Sequence, residues 1–296
     1  MSQRDLIYGI HAVATGVLCG RRLQRVLLQL GDPSDKRSVL HSLLAPWLGR
    51  AATAAGARVV RCERGHLDSL TRNAVHQGIA AEFAPLPPPP ELPFGAAPSA
   101  IAPVLPFTDP LLVTFDNITD PMNLGAILRS ALLLGADGIV LPRSSPELGG
   151  TVAKASAGAL DVWRAAGRLH AAGSGLPTWL GGAAGAGWTV LGASAAGSAA
   201  AAAPKPREVE FATLARAGPT VLVLGAEGAG LRASVLSACT HTVQIGMYTS
   251  LIAAGKEVEP PPLGLGFPES LNVSVAAALL LDKLRPHGAA VGSSKG

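Results

Sequence analysis

Between residues 6 and 83 the apolar positions come in short runs whose spacing switches between that of a strand and that of a helix. LIYGIHAVATGVL (6–18) opens like a strand and continues at helical spacing, and RVLLQL (25–30) reads as a strand. Residues 39–55 read as a helix broken or kinked at Pro46, which has no N–H for the preceding turn. RVVR (58–61) and GIAAEF (78–83) read as further strands, so the first 84 residues predict a small α/β sandwich. From Leu111 the units lengthen. LLVTF (111–115), GIVLP (138–142), WTVLGAS (188–194), TVLVLGA (220–226) and TVQIGM (242–247) are apolar without alternation, as strands buried on both faces are. Helical stretches separate several of them, which predicts a largely parallel sheet covered on both sides. Residues 171–205 are dense in Gly and Ala. Only 188–194 is expected to be a strand there, with loop or low-complexity insert on either side.

Between the two patterned regions, residues 85–107 contain nine prolines, four of them consecutive at 87–90. Such a stretch cannot enter a helix or a sheet interior; it is expected to be extended, a linker between domains, with a packed Pro-rich arm as the alternative. The boundaries predicted are 1–84, the linker 85–107, a second domain 108–288 and a tail 289–296. With 296 residues the chain can bury a sizeable core. No apolar run reaches about 18 residues, so no membrane span is expected. The start leads straight into patterned sequence without the apolar core of a signal peptide. Cys19, Cys62 and Cys239 are scattered and form no metal-ligand spacing, which points to free thiols and no metal site.

Charge separates the regions further. Residues 1–84 hold eleven Lys and Arg, ten of them Arg, against six Asp and Glu, while residues 108–296 balance thirteen against thirteen. An arginine-rich front end beside a neutral remainder fits a polyanion-binding module joined to a catalytic body, or simply a solvated surface.

Three stretches carry candidate chemistry. In DNITDPMNLGAILRSA (116–131), Asp120 followed by Pro121 is a helix start: the Asp accepts from a free N–H and the Pro fits the first helical position. Asn123, Gly125 and Arg129 fall in its opening turns, and Gly125 leaves room for a ligand or another backbone on the face it shares with Arg129. The apolar neighbours of Arg129 imply a partly buried guanidinium with an assigned partner. LGAEGAGL (224–231) is a Gly-x-x-Gly-x-Gly turn after an apolar strand, neither a dinucleotide fingerprint nor a phosphate loop. Glu227 amid Gly225, Gly228 and Gly230 has little cover other than a ligand or a partner loop. In ESLNVSVAAALLL (269–281), Ser270 or Asn272 can cap a helix that closes at Lys283 and Arg285 before Pro286. His11 and His76 read as hydrogen-bonded packing residues rather than catalysts.

In this order the three stretches closely resemble the motifs of the SpoU/TrmH methyltransferases of the SPOUT superfamily. IYGIHAV (7–13) and HQGIAAE (76–82) resemble the amino-terminal substrate domain of large-subunit rRNA ribose methyltransferases. The resemblance implies an α/β protein with a small L30e-like RNA-binding domain and a SPOUT-type parallel-sheet domain. It also implies a carboxy-terminal trefoil knot and a homodimer. The activity it implies is metal-independent methyl transfer from S-adenosylmethionine to a ribose 2′-hydroxyl, of a guanosine in large-subunit rRNA. Carried over singly, Leu224, Gly225, Gly228, Gly230, Ile245, Met247 and Leu271 are the expected cofactor contacts. Asn123, Arg129, Glu227, Ser270 and Asn272 are the expected polar active-site set. Because a guanidinium holds its proton, Arg129 is better suited to orienting the hydroxyl or a phosphate than to acting as a lone base. The chain departs from the family at Ile245-Gly246-Met247, where Pro is usual in the middle, and in an insert at 248–268. A mitochondrial or other organellar location in a eukaryote, or the cytoplasm of a bacterium, fits this reading. A catalytically inactive ribosome-assembly factor of the same fold, and a tRNA substrate, are the alternatives.

Overall fold

The structure is a computed structural model that describes residues 4–31, 38–92, 109–193, 205–245 and 271–285. Its contacts divide the chain into two compact units. The first takes residues 1–90, 119–132 and 146–170; the second takes 91–118, 133–145 and 171–296.

The first unit is built on strands β1 (Asp5–Tyr8), β2 (Leu23–Gln29), β3 (Arg58–Cys62) and β4 (Ile79–Phe83). They form a sheet in the order β1-β4-β2-β3, antiparallel except between β2 and β3. β4 lies inside the sheet and all five of its residues are buried, whereas β3 is an edge strand with Arg58, Val59 and Arg61 exposed. Helices α1 (Ile10–Leu18), α2 (Ser38–Ala54) and α3 (Arg64–Leu70) belong to the same unit. Pro46 sits inside α2, which runs through it as one helix rather than breaking. At Gly9, between β1 and α1, φ is +91°, a conformation glycine adopts without strain. His76 is buried and packs as expected: Nδ1 accepts from the Gly78 N–H at 3.0 Å and Nε2 lies 2.9 Å from Asp68 Oδ1. His11 is exposed, on the solvent side of α1, with no hydrogen bond among the described residues.

Three helices from later in the chain complete this unit: α4 (Pro121–Leu133), whose last residue passes to the other unit, α5 (Gly150–Ala155) and α6 (Ala159–Ala165). Close approaches hold them. A Cβ at Gly125 of α4 would come within 2.4 Å of the Ala155 Cβ and 2.9 Å of the Val152 carbonyl oxygen. The room that Gly125 leaves is thus taken by another backbone. Trp163 is buried and donates from Nε1 to the Leu128 carbonyl at 2.9 Å.

In the second unit β5 (Glu91–Leu92), β6 (Leu111–Phe115), β7 (Gly138–Leu141), β8 (Leu169–Ala172, in this unit from Ala171), β9 (Thr189–Ala193), β10 (Arg207–Glu210), β11 (Thr220–Leu224) and β12 (His241–Gln244) make one sheet. Its order is β10-β12-β9-β11-β6-β7-β8-β5, and the pairings from β10 to β7 and of β8 with β5 are parallel. The central β6 and β11 are buried at every position, as their unbroken apolar runs predict. Helices α7 (Leu176–Gly185), α8 (Ala233–Leu236) and α9 (Val273–Leu284) and a 3-10 turn at Phe211–Thr213 belong to this unit.

One expectation is corrected here, and two observations add to the reading. The Gly/Ala-rich stretch at 171–205 was expected to be loop outside 188–194, but it contains the end of β8 and all of α7. Leu176, Trp179, Leu180 and Ala183 lie at helical spacing and are buried in the second unit's core, which repays the helix-weakening effect of Gly181 and Gly182. The linker predicted at 85–107 is partly packed. The Pro87 carbonyl accepts from Arg164 Nη1 at 2.8 Å, and Leu92 is buried as part of edge strand β5. Extended Pro-rich backbone has free carbonyls, so it can lie against a surface and end in a two-residue pairing. β10 is a further edge strand that its polar sequence, REVE, did not announce. Residues 93–108, the insert at 248–268 and the tail at 289–296 lie outside the described residues.

Candidate active site

The first candidate stretch folds as α4. The Asp120 carboxylate accepts from the Met122 N–H at 2.9 Å, and Pro121 occupies the first helical position, so the helix starts where its residues require. Leu124, Ile127, Leu128 and Ala131 are buried, which turns Met122 and Arg129, seven residues apart, to the exposed side. Asn123 is partly exposed. The expected partly buried Arg129 with a partner is corrected: Arg129 is exposed and makes no hydrogen bond or ion pair among the described residues. Its apolar sequence neighbours lie on the other face of the helix.

The second stretch leaves β11 at Leu224 and folds back at once. The Ala226 and Gly230 backbones exchange hydrogen bonds of 3.0 and 2.8 Å, closing a tight turn over Glu227, Gly228 and Ala229. Three glycines permit it for different reasons. A Cβ at Gly225 would come within 2.4 Å of the Gly230 backbone, while Gly228 and Gly230 have φ of +77° and +65°. Nothing lies within 4 Å of a Cβ placed at Gly228, so the backbone at the tip is open on that side. Glu227, at the tip, is exposed.

The third stretch reaches the same place. Asn272 caps α9, its Oδ1 accepting from the Ser274 N–H at 2.9 Å and from the Ser274 hydroxyl at 2.6 Å. Its Nδ2 donates to Glu227 Oε2 at 3.4 Å. The structure thereby joins two of the expected polar residues, Glu227 and Asn272, in the second unit; Asn123 and Arg129 belong to the first. Leu271, beside the cap, is 37% exposed, and Ile245 at the end of β12 is partly buried. Leu224 is buried beneath the turn. Met247 and Ser270 lie outside the described residues.

One pair of residues was not anticipated. Asp116, at the end of β6, has no solvent exposure, yet its carboxylate accepts from the Arg232 backbone N–H at 2.8 Å and from its Nε at 2.8 Å, with Nη2 at 2.6 Å. Hydrogen bonds to the Asp116 carboxylate, and that group's charge, hold the Arg232 guanidinium above its ordinary pKa. The Asp116 N–H donates to the Leu224 carbonyl at 2.7 Å. Asp116 therefore ties the residues on both sides of the Gly-rich turn to the end of β6. A lone Asp closing a five-residue apolar strand was the available signal. Cys239 is buried nearby, its thiol pushed up to about 12 chiefly by burial and secondarily by Asp116, so it is an inert packing group. Among the described residues no cluster of His, Cys, Asp or Glu is arranged to hold a metal ion, and no helix is long and apolar enough to cross a membrane.

Residues 110–252 match the model of the SpoU rRNA Methylase family, and residues 6–89 match that for RNA 2′-O ribose methyltransferase substrate binding. The chain belongs to the SpoU family of RNA methyltransferases. Among its relatives is the human mitochondrial rRNA methyltransferase 1, 34% identical over 290 residues, which are 96% of this chain and 73% of that protein. An uncharacterized tRNA/rRNA methyltransferase of Synechocystis is 33% identical over 94% of this chain and 61% of its own length. The fold is shared with solved structures. One described as an RNA 2′-O ribose methyltransferase has a TM-score of 0.66 at 20% identity, covering 95% of this chain and 88% of that one. Another, an AdoMet-bound rRNA methyltransferase from Sinorhizobium meliloti, has a TM-score of 0.63 at 19% identity, covering 95% and 86%.

Proposed function

We propose that this protein transfers a methyl group from S-adenosylmethionine to the 2′-hydroxyl of a ribose, that of a guanosine in large-subunit rRNA. The observation that carries the reading is the turn at 226–230, pinned beneath by Asp116 and meeting the cap of α9 through Glu227 and Asn272. The human relative named as an rRNA methyltransferase and the bound AdoMet in the Sinorhizobium meliloti structure support the substrate and the cofactor.

The residues present fit that cofactor. Open backbone at Gly228 allows close approach of a flat or extended ligand, and Leu271 offers exposed apolar surface near the capped helix. Gly225 and Gly230 shape the turn; Leu224, Ile245 and Met247 complete the proposed cofactor set. When bound, the sulfonium supplies an electrophilic methyl group and leaves as a neutral thioether. The protein's own task is alignment. Arg129, exposed and cationic, orients the acceptor hydroxyl or its neighbouring phosphate, since a guanidinium holds its proton too firmly to act as a lone base. Asn123, Glu227, Ser270 and Asn272 complete the polar set. A homodimer and a trefoil knot in the carboxy-terminal half belong to the same proposal, as does a mitochondrial location like that of the human relative.

Calorimetry with a chelator present should show one S-adenosylmethionine bound per protomer, and mass-spectrometric mapping of rRNA from a deletion strain should show one lost ribose methyl group. Absence of cofactor binding at millimolar concentration, with RNA binding intact, would favour the inactive assembly factor.

A further inference from the structure

The edge of the first unit carries a groove whose lining is not used by the site above. It has a volume of about 570 Å³ and runs between the second half of α2 and edge strand β3. Its floor is apolar: Leu28, Ala45, Pro46, Gly49 and Val59. Its rim is cationic. Arg50 of α2 and Arg61 of β3 both line it, both are exposed, and neither makes an ion pair or hydrogen bond among the described residues. Arg58, also on β3, is exposed and equally unpaired. Some arginines of this unit have carboxylates: Arg21 has Asp5 and Asp161, Arg4 and Arg25 share Glu82, and Arg64 has Asp68. Arg22, Arg72 and Arg129 are exposed and, like those of the groove, have no ion pair among the described residues. At Arg50 and Arg61 that unpaired charge lines a concave, largely apolar surface.

We propose that this groove binds a single-stranded segment of the RNA substrate, with phosphates on Arg50 and Arg61 and a base or ribose face on the floor formed by Pro46, Gly49 and Val59. The inference rests on the reading of the protein as an RNA methyltransferase and deepens it by naming a surface. Guanidinium forks match phosphate oxygens two at a time, and an apolar floor is the surface against which an unstacked base is desolvated. The match of residues 6–89 to a substrate-binding family supports the same end of the molecule. Gly49 makes the groove testable without touching its charge, because a Cβ there meets nothing within 4 Å. A larger side chain projects into the groove and also favours the helix.

The experiment uses the full chain without cofactor and a labelled 12-nucleotide single-stranded RNA of mixed sequence, titrated at several salt concentrations. The R50Q/R61Q double variant should weaken binding by about tenfold or more. Its log–log salt slope should flatten by about 1.4, two phosphate contacts at about 0.7 each on a single strand. The control R22Q removes another exposed, unpaired arginine of the same unit, outside the groove, and should lose no more than about twofold. Gly49→Leu should weaken binding while leaving the slope unchanged, because it fills the floor and keeps both arginines. Equal losses in R50Q/R61Q and R22Q would overturn the proposal, leaving a diffuse positive surface. Polyglutamate displacing the RNA from the parent but not from R50Q/R61Q, at matched charge concentration, would overturn it in favour of an acidic protein partner. Failure of the parent to bind S-adenosylmethionine would instead count against the proposed activity, and the RNA titration does not depend on that result.

Discussion

In the first unit the buried Arg21 reaches two carboxylates, Asp161 at 3.3 Å and Asp5, and lies 5.0 Å above the Phe83 ring. In the second unit the buried carboxylate Asp116 takes its partner from a residue that is 56% exposed, Arg232, just beyond the Gly-rich turn. The first arrangement crosses from β1 and the end of α1 to α6 and joins distant parts of the chain in one core. The second sits at the carboxyl end of a parallel strand, where open α/β sheets place their ligand-binding loops. Similar pairs therefore do different things: one holds a unit together, the other aims a loop.

The largest effect should come from Arg21→Met. It leaves Asp161, almost wholly buried, without its cation, and breaking such a pair costs about 3–5 kcal/mol. Urea denaturation at neutral pH measures it. Burial already pushes the Asp161 carboxyl above the usual range, with Arg21 opposing that push. A carboxyl raised in the folded state stabilises most below its unfolded value, and that stabilisation is lost as pH rises through the folded one. The deficit of Arg21→Met should therefore shrink on acidification from neutral pH. Glu82 runs the other way: burial pushes it up, but the bonds from Arg25 and Arg4 outweigh that and hold it low. Its contribution is present above the ordinary carboxylate range and lost as pH falls. A deficit under about 1 kcal/mol, or one that grows in acid, would remove the pair from the core's account.

The next test sets one glycine of each unit against the other. Gly125→Ala drives a methyl group to 2.4 Å from Ala155 and should cost about 2–3 kcal/mol by overpacking. Gly228→Ala meets no atom, so only its positive φ is strained, at about 1–2 kcal/mol. The proposal that ligands approach Gly228 adds a difference in kind: Gly228→Ala should weaken S-adenosylmethionine binding in calorimetry, and Gly125→Ala, if folded, should not. The reverse ranking would show that the turn is structural only.

How much of this was legible in the chain depends on burial. β6, β7 and β11 were readable because a parallel strand covered on both faces must be apolar at nearly every position. β8 carries His170, and α7 carries two adjacent glycines, so composition hid them. The Leu176, Trp179, Leu180, Ala183 spacing was present all the same, and it would have identified the helix. At Arg129 the error came from reading neighbours along the chain; residues three and four apart share a helix face, and adjacent ones do not. The Glu227–Asn272 contact lay beyond local pattern, because 44 residues separate the two in the chain and the resemblance alone set them in one site. The Asp116–Arg232 pair has the same character, and no periodicity links two residues 116 apart.

Arg232→Met comes next in size. The backbone N–H of residue 232 keeps its bond to Asp116, and two side-chain bonds are lost. Bonds to a charged group contribute about 1.5–3 kcal/mol, and the exposure of the guanidinium lowers the expectation to about 1–2 kcal/mol. If the pair aims the turn, affinity for S-adenosylmethionine should fall about tenfold, more than the loss of stability alone would bring to a folded protein. Unchanged affinity would reduce the pair to a staple like that of Arg21.

The smallest effect on stability, and the sharpest on the comparison, is expected from Asn272→Asp. Two kinds of contact made by Asn272 differ in meaning. Its oxygen caps α9 through Ser274, which is local architecture; its amide nitrogen reaches Glu227, which joins two motifs. Aspartate keeps the cap oxygen, ranks with asparagine at that position, and places negative charge where the helix dipole favours it. The unfolding free energy should thus stay within about 0.5 kcal/mol of the parent's, whereas Asn272→Ala should lose about 1 kcal/mol with the cap. The donor to Glu227 is gone, however, and a second carboxylate stands beside the first. If that contact serves only α9, Asn272→Asp should methylate RNA at the parent rate. If Glu227 and Asn272 form a working pair, single-turnover methyl transfer should fall by at least tenfold in a protein as stable as the parent, and Asn272→Ala should fall less because it adds no opposing charge. A stable, fully active Asn272→Asp protein would return Asn272 to the role of a helix cap.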